Sequence, residues 1–357
     1  MNTVFKDLKV VELANVLAGP AVGMFFAELG AKVIKIENKK QGGDVTRTWK
    51  LPTEDPGSKI SAYYSSVNWN KETIFLDLTE NAGKQAVYEL IKTADIVITN
   101  YKKGDDKKLG MDHETLKSIN PALIYGHISG FGDSGRTAFD LVLQAETGFM
   151  FMNGNKESGP LKMPVALIDI LAAHQLKEGI LIAMIQRMKT GKGAKVSVSL
   201  YDAAVASLAN QASNWLIANH DPQPSGSLHP NIAPYGELFE TSDNALIVLA
   251  VGNDKQFANL CEIVGQKDLL TDERFQNNTS RVKNRKALFH ILEAAFRKRK
   301  SEELMEQLIR FDVPAGKICS VKEVLSNEHA SRLILRQEES QSIDSLRVRT
   351  AIFTINN

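Results

Sequence analysis

The stretch that decides the fold is residues 9–37, which reads KVVELANVLAGPAVGMFFAELGAKVIKIE. Lys9–Leu13 is short, apolar and rich in β-branched residues, which predicts a buried strand, and Lys32–Glu37 predicts a second one. The segment Pro20–Leu29 between them predicts a helix that ends at Gly30. A strand, a helix and a strand in this order form a βαβ unit, so we expect a parallel sheet here.

The same alternation continues along the chain. Further strands are predicted at Thr73–Leu76, Asp95–Thr99, Ala122–Ile128 and Lys195–Leu200. Further helices are predicted around Gly83–Thr93, after Asp112, at Ile170–Lys189 and from Asp202. The pattern predicts an α/β domain with helices on both faces of a parallel sheet.

A cluster of helix and strand breakers, DPQPSGSLHP, occupies residues 221–230. We place a domain boundary there, with a large α/β domain at residues 1–220 and a smaller α+β domain at residues 221–324. The smaller domain begins with a predicted β-hairpin at Gly236–Val251, which charged helices follow as far as about Arg310.

Composition narrows the classes of partner and the compartment. The 357 residues carry 43 Lys and Arg against 42 Asp and Glu, so a net charge of +1 supplies no overall field to hold nucleic acid or an anionic membrane. The two cysteines, Cys261 and Cys319, are too few for a disulfide framework, and their spacing does not suit zinc. There is no recognisable secretory signal, and no apolar run approaches the roughly 20 residues that span a bilayer. We expect a cytoplasmic protein.

Familiar cofactor motifs are missing. Residues 13–20, LANVLAGP, lack the glycine pattern that lets a backbone approach a pyrophosphate, so we expect no nicotinamide cofactor at this turn. Residues 126–130, GHISG, depart by one position from a nucleophile elbow. The seven histidines contain no H-x-x-x-H pair, so we expect neither a catalytic metal nor a permanently bound cofactor.

Several ordered segments carry a family resemblance. They are Ala18–Pro20, Leu29–Glu37, Gly43–Asp44 with Arg47, Asn70–Lys71, Leu76–Leu78, Asn120–Tyr125, Ser129–Gly132, Gln144–Ala145, Asp169, Thr190–Gly193, His229–Pro230, Pro234–Tyr235 and Asp272–Phe275. Together they resemble the class III coenzyme A (CoA) transferases, the formyl-CoA and carnitine-CoA transferase type, a family that also contains α-methylacyl-CoA racemase. Each segment alone is weak evidence, but the ordered set is specific.

The resemblance implies a catalytic aspartate, and the matching residue is Asp169. An ionised carboxylate can attack an acyl-CoA thioester to form an aspartyl anhydride, and the released thiolate can then form an aspartyl-CoA thioester. Both intermediates are activated acyl groups, so the chemistry requires neither ATP nor a metal. Position alone favours a different interpretation, in which Asp169 is the N-cap of the helix predicted from Ile170.

An attack on a thioester also needs hydrogen-bond donors for the developing oxyanion, which backbone amides at a tight turn or a helix start can supply. The resemblance places Val16, Leu17 and Ala18 beside the nucleophile. The alternative is an ordinary hydrophobic turn before a helix that Pro20 starts. Some family members have glutamine at the position of Leu17, so a polar side chain is absent there in this chain.

Coenzyme A carries an adenosine 3′-phosphate and a pyrophosphate, so its site should gather Lys and Arg side chains. The residues that the resemblance implies as coenzyme contacts are Asn70, Lys71, Lys102 and Lys103, followed by Lys39 and Lys40. Each lysine is also compatible with a solvated loop. The expected substrates are an acyl-CoA and a carboxylic acid.

Three functions remain open, with CoA transfer between an acyl-CoA and a carboxylic acid as the leading one. A racemase needs a second proton-transfer group, and Phe139 stands where racemases have the histidine that supplies it. A non-catalytic acyl-CoA-binding protein is the third, which the retained Asp169 argues against. The resemblance further implies a Rossmann-like large domain, completed by about residues 325–357, and an interlocked homodimer.

Overall fold

The computed structural model describes residues 4–337 and 345–355. Residues 338–344 and 356–357, which belong to the segment expected to complete the large domain, lie outside the described part. The strands are β1 (Lys9–Glu12), β2 (Lys32–Asn38), β3 (Glu72–Leu76), β4 (Ile96–Thr99), β5 (Ile124–Ser129), β6 (Gly154–Asn155), β7 (Gly159–Pro160), β8 (Lys195–Ser199), β9 (Tyr235–Glu240), β10 (Leu246–Ala250), β11 (Ala315–Lys317), β12 (Ile334–Gln337) and β13 (Ser345–Val348).

Helices connect most of these strands. They are α1 (Ala18–Glu28), α2 (Ala62–Ser65), α3 (Asn81–Ile91), α4 (Asp105–Leu109), α5 (His113–Ile119), α6 (Asp140–Glu146), α7 (Phe149–Met152), α8 (Leu167–Thr190), α9 (Leu200–Ala206), α10 (Ala209–Ala218), α11 (Asp254–Ile263), α12 (Asn278–Lys283), α13 (Arg285–Phe296), α14 (Ser301–Arg310), α15 (Val321–Leu325) and α16 (Glu328–Ser331). Among the residues that the structure describes, no helix is both long and apolar enough to cross a membrane.

Six parallel strands form the main sheet in the order β3-β2-β1-β4-β5-β8, which confirms the predicted α/β fold with a parallel sheet. The chain first builds outward from β1 to β3 and then returns to place β4 on the other side of β1. The carboxyl ends of β1 and β4 therefore mark a topological switch point, where open α/β sheets commonly bind ligands.

Both faces of this sheet are covered by buried apolar side chains. On one face, Phe26 of α1 and Leu176 and Ile180 of α8 belong to a single hydrophobic core. On the other, Ile91 of α3 and Leu116 of α5 belong to a second core. This arrangement confirms the prediction of helices on both faces, and it holds the starts of α1 and α8 against the sheet.

The described residues divide into two compact units. The first comprises residues 4–150, 162–222, 332–337 and 345–355 and contains the six-stranded sheet. The second comprises Phe151–Leu161 and Gln223–Ser331. Residues 151–161 fall in the large domain expected from the sequence, yet they cluster with the second unit, where the Gly226 amide donates to the Gly154 carbonyl at 2.7 Å.

The second unit is built around an antiparallel sheet in the order β11-β10-β9. Strands β9 and β10 form the predicted hairpin. Helices α11, α13 and α14 contribute Phe257, Leu292 and Leu308 to a hydrophobic core against Phe239 and Leu249 of the hairpin. This unit has its own core, independent of the two cores on the parallel sheet.

Truncation of a buried side chain in α14 should destabilise the second unit. Leu308 is fully buried in its core, whereas the next residue, Ile309, is 70% exposed. We expect Leu308→Ala to lower the free energy of unfolding by roughly 2–5 kcal/mol because it leaves a cavity. Ile309→Ala, the matched control, should change it by less than about 0.5 kcal/mol. Urea denaturation followed by circular dichroism measures both, and equal losses would contradict the orientation of α14.

Candidate active site

A cavity of about 700 Å³ lies in the first unit at the carboxyl ends of β1, β4 and β5. Five separate chain segments contribute to its walls: the β1–α1 turn, the loop and short helix after β4, the region from β5 to α6, the first turn of α8, and the segment from β8 to the start of α9. Among its lining residues are Val16, Leu17, Ala18, Lys102, Lys103 and Asp169. The fold thus brings the expected nucleophile, the expected oxyanion turn and two of the expected coenzyme lysines into one cavity.

The β1–α1 turn has an unusual backbone conformation. Val16 lies in the left-handed region with φ of 71°, which for a β-branched residue is a strained outlier that costs roughly 1–3 kcal/mol. Its amide donates to Asp44 Oδ2 at 3.1 Å. The Asn15 amide donates to Asn100 Oδ1 at 3.1 Å, and Asn100 Nδ2 donates back to the Asn15 carbonyl at 2.8 Å. These contacts hold the turn to the end of β4.

Backbone donors are available where this turn enters α1. The first amides of a helix have no carbonyl partner within it. Within residues 4–337 and 345–355, the amides of Leu17, Ala18 and Gly19 donate to no acceptor. Gly19 permits the close approach of α1 to the strand, because a Cβ there would lie 2.3 Å from the Ala14 Cβ. The turn therefore presents unpaired donors beside the cavity that Leu17 and Ala18 line.

Asp169 is the third residue of α8 and not its N-cap, so the interpretation from position alone is wrong. The helix begins at Leu167, with Ala166 at the N-cap position, where it offers no side-chain acceptor. Asp140 replaces the missing cap, since its Oδ1 accepts the Ile168 amide at 2.7 Å. The Asp169 carboxylate is therefore not occupied in capping its own helix.

The Asp169 side chain is buried, and none of the described residues forms an ion pair with it. Only 8% of the residue is exposed, and in the described part of the chain its carboxylate accepts no hydrogen bond. Burial, and next the negative charge of Asp140, raise its pKa to about 7. A carboxylate that titrates near neutral pH, with its lone pairs free and a cavity in front of it, is suited to nucleophilic attack.

Two residues that the sequence reasoning gave no role fix the chain that leads to Asp169. Gln144 Nε2 donates to Asp140 Oδ2 at 2.6 Å, and Gln144 Oε1 accepts the Met163 amide at 2.8 Å. Asp140 in turn holds the Ile168 amide. Gln144 belongs to a segment that carried the family resemblance, so its presence was a signal, but its contact with residue 163 depends on the tertiary fold.

Four lysine side chains line the cavity. Lys102 and Lys103 line it, together with Lys107 and Lys195. Lys102 Nζ donates to Thr137 Oγ1 at 3.0 Å, which places its ammonium at the cavity edge. Cationic side chains near an expected nucleophile provide the kind of site that phosphate or carboxylate groups bind.

Lys71 lies behind the turn and not in the cavity. Its ammonium is fully buried and donates to Glu12 Oε2 at 2.8 Å, to the Pro20 carbonyl at 2.8 Å and to Asn68 Oδ1 at 3.1 Å. Burial lowers its pKa to about 7, although Glu12 opposes this shift. An ammonium has three donors, and all are engaged, so the structure gives Lys71 a supporting place where the resemblance implies a coenzyme contact.

The other implied coenzyme contacts also lie outside the cavity lining. Asn70 is exposed, and its Nδ2 lies 3.4 Å from the Ala27 carbonyl. Lys39 and Lys40 occupy a 3₁₀ turn directly after β2, where both are exposed, and Lys40 pairs with Asp77 at 2.7 Å. Lys102 and Lys103 thus line the same cavity as Asp169, whereas these three residues do not.

A racemase would need a second proton-transfer group in this cavity. Phe139 lines it, 53% exposed, and carries no titratable group. His127 lines it as well, with Nδ1 2.9 Å from Thr99 Oγ1, and burial followed by the charge of Lys195 lowers its pKa. Among the described residues, no group of three or more His, Cys, Asp or Glu side chains is arranged to hold a metal ion.

Comparison with known proteins identifies similar sequences and structures. The family model for CoA-transferase family III matches residues 5–354. A succinate–glutarate CoA-transferase from Agrobacterium fabrum is 38% identical over 95% of this chain and 87% of its own length. An acetyl-CoA:oxalate CoA-transferase from Acetobacter aceti is 34% identical over 89% of this chain and 82% of its own length. The crystal structure of a CAIB/BAIF family protein from Brucella suis superposes with a TM-score of 0.89 at 38% identity, covering 99% of this chain and 93% of that one.

Replacement of Asp169 by asparagine should stabilise the protein at basic pH. The folded state raises the Asp169 pKa from 3.8 to about 7, so it holds this proton more tightly than the unfolded chain. The resulting stability is fully present below pH 3.8 and is lost as the pH rises through about 7. We therefore expect the Tm of Asp169→Asn to exceed the wild-type Tm at pH 8 and to match it at about pH 4.

Thermal denaturation at both pH values measures this difference. Asp133→Asn is the matched control, because Asp133 lines the same cavity but is exposed, and its Tm should match wild type throughout. A lower Tm for Asp169→Asn than for wild type at pH 8 would contradict the burial of an unpaired carboxylate.

Proposed function

The chain belongs to CoA-transferase family III and is a CoA-transferase, and from this premise we propose that it works through covalent intermediates on Asp169. One observation carries the proposal: the same cavity is lined by a buried carboxylate and by a helix start whose first amides, like that carboxylate, have no hydrogen-bond partner among the described residues. The first supplies a nucleophile and the second supplies donors for the oxyanion.

The proposed reaction begins when a carboxylate oxygen of Asp169 attacks the thioester carbonyl carbon of the acyl-CoA. A C–O bond forms and the C–S bond breaks, so the products are a mixed anhydride and a CoA thiolate that keeps the electron pair. The thiolate then attacks the aspartyl carbonyl. The donor acid leaves as its carboxylate, and an aspartyl-CoA thioester remains on the enzyme.

The second half of the reaction reverses these steps with the acceptor acid. The acceptor carboxylate attacks the aspartyl-CoA carbonyl and releases the thiolate, which gives a second anhydride. The thiolate then attacks the acceptor's acyl carbon, forms the new acyl-CoA and frees Asp169 as a carboxylate. No proton or electron is gained overall, so ionised Asp169 is the only state that the chain must supply.

The amides of Leu17 and Ala18 are the proposed donors to the carbonyl oxygen that becomes negative in each attack. Backbone amides fixed in advance need no reorganisation during the reaction, which is why such donors are effective. The Val16 conformation and the Asn15–Asn100 hydrogen bonds keep the turn in place. The side chain of Leu17 contributes no polar group, so the backbone carries this function alone.

Lys102 and Lys103 are the proposed contacts of the coenzyme phosphates. Both line the cavity that holds Asp169, and Lys107 and Lys195 add positive charge nearby.

The relatives' names pair coenzyme A with succinate and glutarate or with oxalate, so we propose a short dicarboxylic acid as the acid substrate. A cation-lined cavity suits its second carboxylate.

We further propose a cytoplasmic homodimer of interlocked chains. Support for an interface comes from large apolar side chains left exposed on α8 and α10, namely Ile182, Ile185, Met188, Leu216 and Ile217. Both cysteines are free, as a reducing compartment requires. A monomer mass in light scattering, or rapid exchange of subunits between differently tagged dimers, would contradict the interlocked assembly.

Replacement of Asp169 by asparagine should abolish CoA transfer while the fold is kept, because the amide has similar volume but is no longer a nucleophile. We expect kcat to fall by roughly 10⁴-fold or more. Wild-type protein incubated with an acyl-CoA alone should gain the mass of an aspartyl-CoA adduct, and the variant should not. Mass spectrometry of the protein and of CoA esters, with a panel of dicarboxylic and monocarboxylic acids, measures both.

Asp95→Asn is the matched control. Asp95 directly precedes β4, at the amino end of the strand, whereas the cavity lies at the carboxyl end, so this variant should retain the wild-type rate. Near-normal transfer by Asp169→Asn would overturn the covalent mechanism. A racemase would instead place deuterium at the α carbon of a 2-methylacyl-CoA in heavy water without any CoA exchange. We expect no such deuterium uptake.

Removal of the cavity lysines should weaken coenzyme binding and leave the chemical step intact. We expect Lys102→Ala combined with Lys103→Ala to raise KM for the acyl-CoA roughly tenfold or more, because charge-assisted hydrogen bonds to phosphate are lost, with little change in kcat. Lys39→Ala combined with Lys40→Ala removes the same charge outside the cavity and should leave KM unchanged. Steady-state kinetics measures both pairs. A larger rise in KM for the Lys39 and Lys40 variant would contradict the proposed site at Lys102 and Lys103 and place the coenzyme phosphates near Lys39 and Lys40.

A further inference from the structure

We propose that Asp44 is a positioning residue that holds the β1–α1 turn in the geometry its amides need for catalysis. This inference rests on the proposed function, because it assigns a support to the oxyanion donors of that reaction. Asp44 does not line the cavity and does not contact the reacting atoms. Its role follows from what it binds behind the turn.

Asp44 is part of a buried group of four charges in which two carboxylates face two ammonium groups. Lys35 Nζ lies 3.0 Å from Glu12 Oε1 and 3.1 Å from Asp44 Oδ2. Lys71 Nζ lies 2.8 Å from Glu12 Oε2. All four side chains are fully buried. The charges balance, so the group is stable inside the protein only as long as each member keeps its partners.

This group of four charges forms hydrogen bonds with the backbone of the β1–α1 turn at three points. Lys35 Nζ donates to the Ala14 carbonyl at 2.8 Å, before the turn. The Val16 amide donates to Asp44 Oδ2 at 3.1 Å, within it. Lys71 Nζ donates to the Pro20 carbonyl at 2.8 Å, after it. The unpaired amides of Leu17 and Ala18 lie between the second and third of these points.

The hydrogen bond from the Val16 amide to Asp44 is the contact that holds Val16 at positive φ. A valine resists φ of 71°, so its backbone tends to relax to negative φ unless something holds it. A hydrogen bond to an ionised carboxylate is strong enough to do this. Rotation of Val16 would turn the peptide plane that follows and carry the Leu17 amide with it. Loss of the Asp44 contact should therefore misdirect the donors while the coenzyme lysines stay in place.

Asp44 is itself rigidly placed, as a positioning residue must be. Its Oδ1 accepts the Thr46 amide at 3.0 Å and the Thr46 hydroxyl at 2.8 Å. Its own amide donates to Glu37 Oε2 at 2.8 Å, and Glu37 is paired with Arg47 at 2.7 Å. Every hydrogen-bonding direction of the carboxylate is used, so Oδ2 has a fixed position relative to Val16.

The test is a double-mutant cycle between Asp44→Asn and Val16→Gly, assayed for CoA transfer. Asp44→Asn alone should lower kcat by roughly 10- to 100-fold, as misplacement of reacting groups does, with KM for the acyl-CoA within about twofold of wild type. Glycine adopts positive φ without strain, so in the Val16→Gly background the same substitution should cost less than about threefold in kcat. Asp95→Asn is the control. Like Asp44, Asp95 accepts a backbone amide, that of Lys9, and pairs with a cation, Arg187, but it does so away from the cavity.

A second variant keeps the test decisive if Asp44→Asn fails to fold. Thr46→Val removes one hydrogen bond that orients Asp44 and leaves all four charges unchanged, and it should lower kcat in the same direction, again less in the Val16→Gly background. Equal losses in both backgrounds, or a rise in KM with unchanged kcat, would overturn the positioning role.

Hydrogen exchange of residues 14–20 separates this proposal from the transferase mechanism. Faster exchange of the turn amides in Asp44→Asn than in wild type or Asp95→Asn is expected, whether or not any acid is accepted as substrate. A wild-type protein that transfers no CoA would refute the proposed function alone. An active wild type with an unchanged turn in Asp44→Asn would refute the positioning role alone.

Discussion

The central constraint in this protein is the burial of Glu12 at the end of β1, one of the two central strands of the sheet. A buried carboxylate is tolerated only when cations and hydrogen bonds replace the water that it lost. Here Lys35 comes from the neighbouring strand β2 and Lys71 directly precedes β3. Helix α1 makes room with Gly23, where a Cβ would lie 1.9 Å from Glu12 Oε2. One charge therefore ties three strands and a helix together directly beneath the β1–α1 turn.

A second buried carboxylate, Asp169, lines the cavity and differs from Glu12 in having no cation paired with it in the described part of the chain. Asp169 is nearly as deeply buried as Glu12, and Asp140 adds a second negative charge nearby. This arrangement costs stability when Asp169 is ionised, as its raised pKa reflects, while Asp140 and Gln144 fix the backbone that leads into α8. A fully paired group provides rigidity, whereas an unpaired carboxylate keeps its lone pairs available. Local violations of this kind are expected at functional sites.

One sequence inference failed for an identifiable reason, and several contacts were not predictable from the sequence. The start of α8 was misplaced because Asp169 resembles an N-cap, whereas the capping oxygen comes from Asp140, 29 residues earlier in the chain. Lys71 has the residue type and family position of a phosphate ligand, but the fold points it at Glu12 and Pro20. Asp44, Asn100 and Gln144 carry no periodic signal at all. Their roles depend on partners distant in sequence, which a single sequence does not pair.

The sequence alone determined the parallel α/β architecture, because runs of β-branched apolar residues alternating with helical periodicity allow few other arrangements. It also determined the family and, through the ordered motifs, pointed to Asp169 as the expected nucleophile. Only the tertiary structure decided which polar residues lie in the cavity and which lie behind it. Hydrophobic periodicity is a local property that each segment carries by itself. The pairing of buried charges and the aim of a strained turn are properties of contacts between segments, and these exist only once the sheet has brought β1, β4 and α8 together.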